Sequence, residues 1–128
     1  QWLAAARISE LQLYRSEDDA KTWTACGPVT QASQHPGDFL HLRDGRWLLT
    51  YGNRTADRGV DVRFTRDAGK TWSQPQRVAD FEGDGGYPSS IQLADGSVVT
   101  AYYASKSSSH SRYHMGVAVW DPAQSDTE

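Results

Sequence analysis

Apolar and polar residues alternate in short runs along most of this chain, with a period of two. Residues 39–52, FLHLRDGRWLLTYG, alternate around Asp44-Gly45, and Asp-Gly between alternating runs predicts a β-hairpin. Residues 91–103, IQLADGSVVTAYY, repeat the arrangement around Asp95-Gly96. Val60 to Phe64 reads as a third strand and Gln76 to Asp80 as a short fourth one. The opening WLAAARISELQLYRS has helix-forming composition. Its second half, Leu11 to Arg15, occupies the register of Val60 to Phe64 and is therefore assigned to a strand. Residues 1–7 are a tail or part of a preceding strand.

The pattern repeats at long range. Residues 16–23 read SEDDAKTW and residues 65–72 read TRDAGKTW. The phrase Leu-x-Asp-Gly recurs at Leu42 and Leu93. Two phrases recurring in the same order at a spacing of about fifty residues indicate a supersecondary repeat. Four antiparallel strands per repeat predict an all-β fold of propeller type, built from four-stranded blades. On this count the chain covers two to three blades: half a blade over 8–30, a full blade over 33–80 and three strands of a blade over 87–120. Nine strands do not close a ring, and blades bury their faces against neighbours. The expected partners are therefore further blades of the same protein or other copies of the chain.

Composition narrows the function classes. A formal net charge of -3 and a pI near 5.8 argue against a nucleic-acid binder, which shows a basic patch. No apolar run approaches the roughly 18 residues that span a bilayer. The single Cys26 rules out an internal disulfide and reads as a small buried residue. His110 and His114, four apart on a strand, would lie about 13 Å from each other, too far to share an ion.

Each residue type of the octapeptide has a structural task. Asp18 and Asp67 can accept backbone N–H groups and fix a tight turn. Gly69 supplies the positive φ such a turn needs, and Trp23 and Trp72 plug the gap beside the next strand. A calcium loop is excluded by the missing i, i+2, i+4 ligand pattern with a distal Glu. The phrase resembles the Asp-box, or BNR repeat, of the sialidase (neuraminidase) superfamily, and the resemblance covers residues 8–120. Ala20 stands where Gly is usual and Thr65 where Ser is usual. The order HPGDFLHLRDGRWLLTYGNR, VRFTRDAGKTW, GYPSSIQLADGSVVTAYYAS is similar to the C-terminal part of bacterial exo-α-sialidase-like proteins, which implies a six-bladed propeller.

Alternate loops of an up-and-down sheet lie at opposite ends, so the loops outside the boxes and Asp-Gly turns share one face. That face collects His35, Asp38, Arg54, Arg58, Asp84, Tyr87 and Arg112, and function tends to sit on such loops. The resemblance implies a sialidase-like glycoside hydrolase acting on terminal sialic acid or a related acidic sugar. An arginine triad would grip the carboxylate and a Tyr–carboxylate pair would supply the nucleophile. Two carry-overs stay open. In one, Asp38 is the carboxylate partner of a tyrosine beyond Glu128, with Arg54 and Arg112 as triad arginines. In the other, Tyr87 is the nucleophile and Arg58 a triad arginine. Asp38 and Tyr87 are thus the catalytic candidates, and Arg54, Arg58, Arg112 and His35 the substrate-binding ones. The resemblance implies no cofactor and no metal, and a secreted or periplasmic location. The alternative is a propeller that binds glycan or protein without catalysis on the same face.

Overall fold

The computed structural model describes residues 1–125. The strands are β1 (Trp2–Arg7), β2 (Leu11–Ser16), β3 (Thr24–Pro28), β4 (Gln34–His41), β5 (Trp47–Asn53), β6 (Gly59–Thr65), β7 (Gln76–Asp80), β8 (Glu82–Gln92), β9 (Val98–Lys106) and β10 (His114–Trp120). A single 3₁₀ turn follows at Pro122–Ser125. Pairing is antiparallel throughout, in a first sheet β1-β2-β3, a second sheet β4-β5-β6-β7 and a third sheet β10-β9-β8.

The two Asp-Gly hairpins form as the pattern predicts. Leu42 donates its N–H to the Arg46 carbonyl at 2.8 Å, and Leu93 does the same to Ser97 at 2.8 Å. In both turns the Asp side chain accepts the N–H two residues on.

The Asp-boxes are also two copies of one hydrogen-bond pattern. Asp18 accepts the N–H of Thr22 at 2.8 Å and its hydroxyl at 2.6 Å; Asp67 accepts the N–H of Thr71 at 2.8 Å and its hydroxyl at 2.5 Å. The Ser16 and Thr65 hydroxyls each donate to the Asp and accept the N–H of the residue four on. These contacts hold each carboxyl at about 2, led by the bond from the Thr hydroxyl. What differs is the surroundings. Gly69 is buried, and a Cβ there would lie 2.7 Å from Leu13 Cδ2. Ala20 is exposed and takes φ 63°.

Side-chain alternation in the second sheet directs two apolar sets to opposite faces. Leu49 and Tyr51 pack with Leu11, Leu13 and Val29 of the first sheet, joined by Phe39 and Trp72. Leu48, Val62 and Phe64 pack with Val98 of the third sheet, joined by Trp120. Every residue of β5 beyond Trp47 is buried. Between the second and third sheets runs a buried hydroxyl chain, Thr50 to Ser90 at 3.0 Å and Ser90 to Thr100 at 2.8 Å, closed by the Trp120 indole on Thr100 at 3.0 Å.

The expected six-bladed propeller is corrected. The described residues make three small antiparallel sheets of three, four and three strands, with no closed barrel or propeller. Ten strands form where nine were expected, because residues 2–7 pair with β2. The repeated phrases fix pairing within a hairpin, whereas ring closure depends on contacts between sheets, which no hairpin phrase specifies. The outer sides stay open: Met115, Val117 and Val119 of β10 are 71%, 62% and 66% exposed, and Trp23 is exposed where its counterpart Trp72 is packed. Cys26 is exposed on the edge strand β3 and not buried as expected. No helix among the described residues is long and apolar enough to cross a membrane.

Three substitutions test this packing. Leu49→Ala removes a fully buried side chain from the first interface and should lower unfolding free energy by about 2–5 kcal/mol in urea titration. Ala20→Gly relieves a left-handed alanine and should raise stability by up to about 1 kcal/mol. Gly69→Ala should lower it through the clash with Leu13.

Candidate functional site

Three sheets bring one loop end each to a common rim. β1 delivers Arg7, the end of β5 delivers Arg54, and β8 and β9 deliver Asp84, Tyr87 and Tyr103. The approach is close because two glycines face each other: a Cβ on Gly52 would stand 3.2 Å from the Gly86 Cα. Register shifts in β8 between Glu82 and Ser89 accompany this contact, and Tyr87 takes φ 48°. Such a backbone turns the tyrosine outward, 54% exposed.

Tyr87 sits between two cations. The Arg7 guanidinium donates to the Tyr87 hydroxyl at 2.7 Å. Arg7 lies 5.6 Å and Arg54 5.4 Å from the ring centroid, distances at which a cation is attracted by an aromatic ring. Arg54 is oriented by its own bonds, from Nε to the Gly85 carbonyl at 3.0 Å and from Nη2 to the Tyr103 hydroxyl at 3.2 Å.

Asp84 forms a second focus. Tyr103 donates to both of its oxygens at 3.1 Å, Tyr113 donates to Oδ2 at 3.1 Å, and Arg54 Nη2 stands 3.6 Å away. Desolvation pushes this carboxyl up, but the two phenols and the Arg54 charge outweigh it and hold the group below the usual aspartate range. Desolvation and then Asp84 push the Tyr103 phenol up. At neutral pH the pair is therefore a carboxylate and a protonated tyrosine. The Tyr87, Tyr103 and Tyr113 rings follow one another at 5.8 and 6.3 Å, an apolar strip beside the charges.

His35 lies behind this group on β4. Its Nδ1 is buried without a hydrogen-bond partner. Burial, followed by the charges of Arg7 and Arg54, lowers its pKa from 6.5, so the imidazole is neutral at pH 7.

The structure thus brings together His35, Arg54 and Tyr87 from the sequence-predicted set. Arg58 binds the Gly83 carbonyl at 2.9 Å and so straps the start of β8. Arg112 is exposed in the β9–β10 loop, next to Tyr113. Asp38 accepts the Ser90 N–H at 3.0 Å, beside the buried hydroxyl chain. The structural residues Asp18, Asp67, Gly69 and Trp72 lie in the box turns, as does the exposed Trp23.

Sequence reasoning did not single out Arg7, because residues 1–7 had no assigned element, nor the pairing of Tyr103 with Asp84. A strand assignment for residues 2–7 carries Arg7 to this end. His110 and His114 stack at 4.7 Å between ring centroids, far closer than strand spacing gives, because residues 107–113 turn back as a loop. Among the described residues no three His, Cys, Asp or Glu side chains could hold a metal ion.

No protein-family model matches the chain, and no curated protein matches it. Among solved structures, a protein of unknown function from Dyadobacter fermentans DSM 18053 is similar, with a TM-score of 0.75 and 27% identity. The match covers 88% of this chain and 31% of that one, so the chain spans about a third of the length of that structure.

Two outcomes follow from the geometry. Asp38→Ala strands the Ser90 N–H and should cost about 1–3 kcal/mol of stability in urea titration. His35 has a depressed folded pKa, so its contribution is present above the unfolded value of 6.5 and is lost as pH falls below it. Denaturation midpoints of the wild type should drop as pH falls below 6.5, and His35→Gln should flatten that slope.

Proposed function

We propose that this rim belongs to a sialidase-like glycoside hydrolase that releases terminal sialic acid or a related acidic sugar from glycans. The observation that carries the proposal is the meeting of Arg7 and Arg54 around Tyr87, beside a tyrosine bonded to an ionised carboxylate. Guanidinium groups match carboxylates in shape and charge, and the tyrosine strip offers apolar faces to a sugar ring. Tyrosine is the nucleophile of sialidases. In this rim the tyrosine with a carboxylate partner is Tyr103, whose proton would pass to Asp84 as its oxygen bonds to the anomeric carbon. The glycosidic bond breaks in the same step, and the leaving oxygen takes a proton from solvent. Water would then attack the anomeric carbon and break its bond to the Tyr103 oxygen, the phenol regaining its proton from Asp84 and the water's proton passing to solvent. Tyr87, whose hydroxyl accepts from Arg7, would instead shape the carboxylate pocket.

A non-catalytic glycan-binding role is the second reading. One observation favours it: Asp84 is held below the usual aspartate range and the Tyr103 phenol above its own, which opposes proton transfer from Tyr103 to Asp84.

Turnover of a fluorogenic sialoside by the intact protein separates the two. The hydrolase predicts turnover that falls about a hundredfold or more in kcat/KM in both Arg54→Ala and Tyr103→Phe. Saturable sialoside binding without turnover, lost in Arg54→Ala, supports the binding role. Absence of both turnover and binding removes both.

A further inference from the structure

A second polar region, lined by residues other than those of the rim, lies between the second sheet and the end of β3. Tyr51, Asp61 and Arg77 stand in one cross-strand row of the second sheet. Opposite them are Val29 and Thr30, where β3 runs into its loop. Between these lies a cavity of about 500 Å³, within the range of roughly 300–1,000 Å³ usual for small-molecule sites.

We propose that this cavity binds an uncharged, hydroxyl-rich ligand of the size of a monosaccharide. The first reason is Tyr51. The residue is fully buried and lines the cavity, yet its hydroxyl has no hydrogen-bond partner. Buried polar groups are otherwise almost always paired. Burial, and then the nearby Asp61 charge, push this phenol well above the ordinary tyrosine value, while Arg63 and Arg77 act in the opposite sense. The groups that sense the hydroxyl all line the cavity, and the hydroxyl stays a donor at any physiological pH.

The second reason is charge balance. Arg77 is held by Asp61 at 2.6 Å and by Asp57 at 3.2 Å. Arg63 gives its donors to the Ser73 and Val29 carbonyls at 2.9 and 2.6 Å. Two cations face two carboxylates in the lining, and both cations are already engaged. The lining therefore carries no net formal charge and favours neither an anion nor a cation. A neutral ligand meets the Tyr51 donor, polar side chains such as Asn53, and the apolar Val29. Hydroxyl groups over one C–H face are what sugars and polyols present.

The site shares no residue with the rim, and the proposal does not rest on the sialidase reading. The test is residue-resolved amide NMR of the full chain titrated with D-galactose, D-glucose and, separately, free sialic acid. Saturable shifts at Thr30, Asn53 and Asp61 with a neutral sugar are expected. Tyr51→Phe keeps the ring and removes an unpaired hydroxyl, so it should fold with equal or greater thermal stability and bind about tenfold more weakly. No saturable shifts at these amides with either neutral sugar would overturn the proposal. So would wild-type affinity in Tyr51→Phe, or a preference of these amides for sialic acid. Failure of sialoside turnover at the rim leaves these readouts unchanged.

Discussion

The two central strands of the second sheet, β5 and β6, are buried on both faces, and the rest of the molecule is arranged around that requirement. β5 sends Leu49 and Tyr51 one way and Leu48 and Thr50 the other. A strand with two apolar faces has no stable exposed state, so two partner sheets must cover it. The Leu48 face carries the Thr50 hydroxyl, which finds its partner only because Ser90 and Thr100 arrive opposite it. Sheet spacing set by this packing then decides what meets at the rim. Arg7, Arg54 and Tyr87 come from three different sheets, and the contact of Gly52 with Gly86 fixes how near they lie.

The Asp-boxes show how a local device acquires a tertiary role. Both turns are closed by the same bonds from Ser or Thr, Asp and Thr. Inside the first interface the second box must also fit beneath Leu13, which demands glycine at Gly69. At the exposed turn the first box meets no such neighbour, and alanine occupies the equivalent position. Trp72 and Trp23 differ for the same reason: Trp72 stacks on Phe39 at 6.4 Å between ring centroids, whereas Trp23 is 42% exposed.

The two polar regions contrast in chemistry. The rim gathers two arginines and three tyrosines beside one exposed carboxylate, a cationic and aromatic surface. The cavity beside β3 balances two arginines with two aspartates and has an unpartnered phenol as its distinctive group. Both arise where a sheet ends, because a covered sheet interior has no room for a ligand, while an edge offers side chains held by a rigid frame.

Much of the secondary structure was legible in the residues. Alternation in 39–52 and 91–103, the Asp-Gly pairs and the boxes each act over a few positions, so their hydrogen bonds are written into adjacent residues. The first strand was obscured by its alanines, whose helical propensity is overridden by pairing with β2. His35, Arg54 and Tyr87 were legible as residues of one face. The Arg7 bond to Tyr87, spanning eighty positions, and the Tyr103 bond to Asp84 were not. The sequence alone determined the strands after the first, their turns and the end of the sheet at which each loop emerges, because these follow from backbone bonding and a period of two. Only the tertiary structure decided that the described residues form an open set of three sheets with no closed ring, and which side chains meet across them. Contacts between sheets depend on the shapes of distant surfaces, and no run of neighbouring residues carries that information.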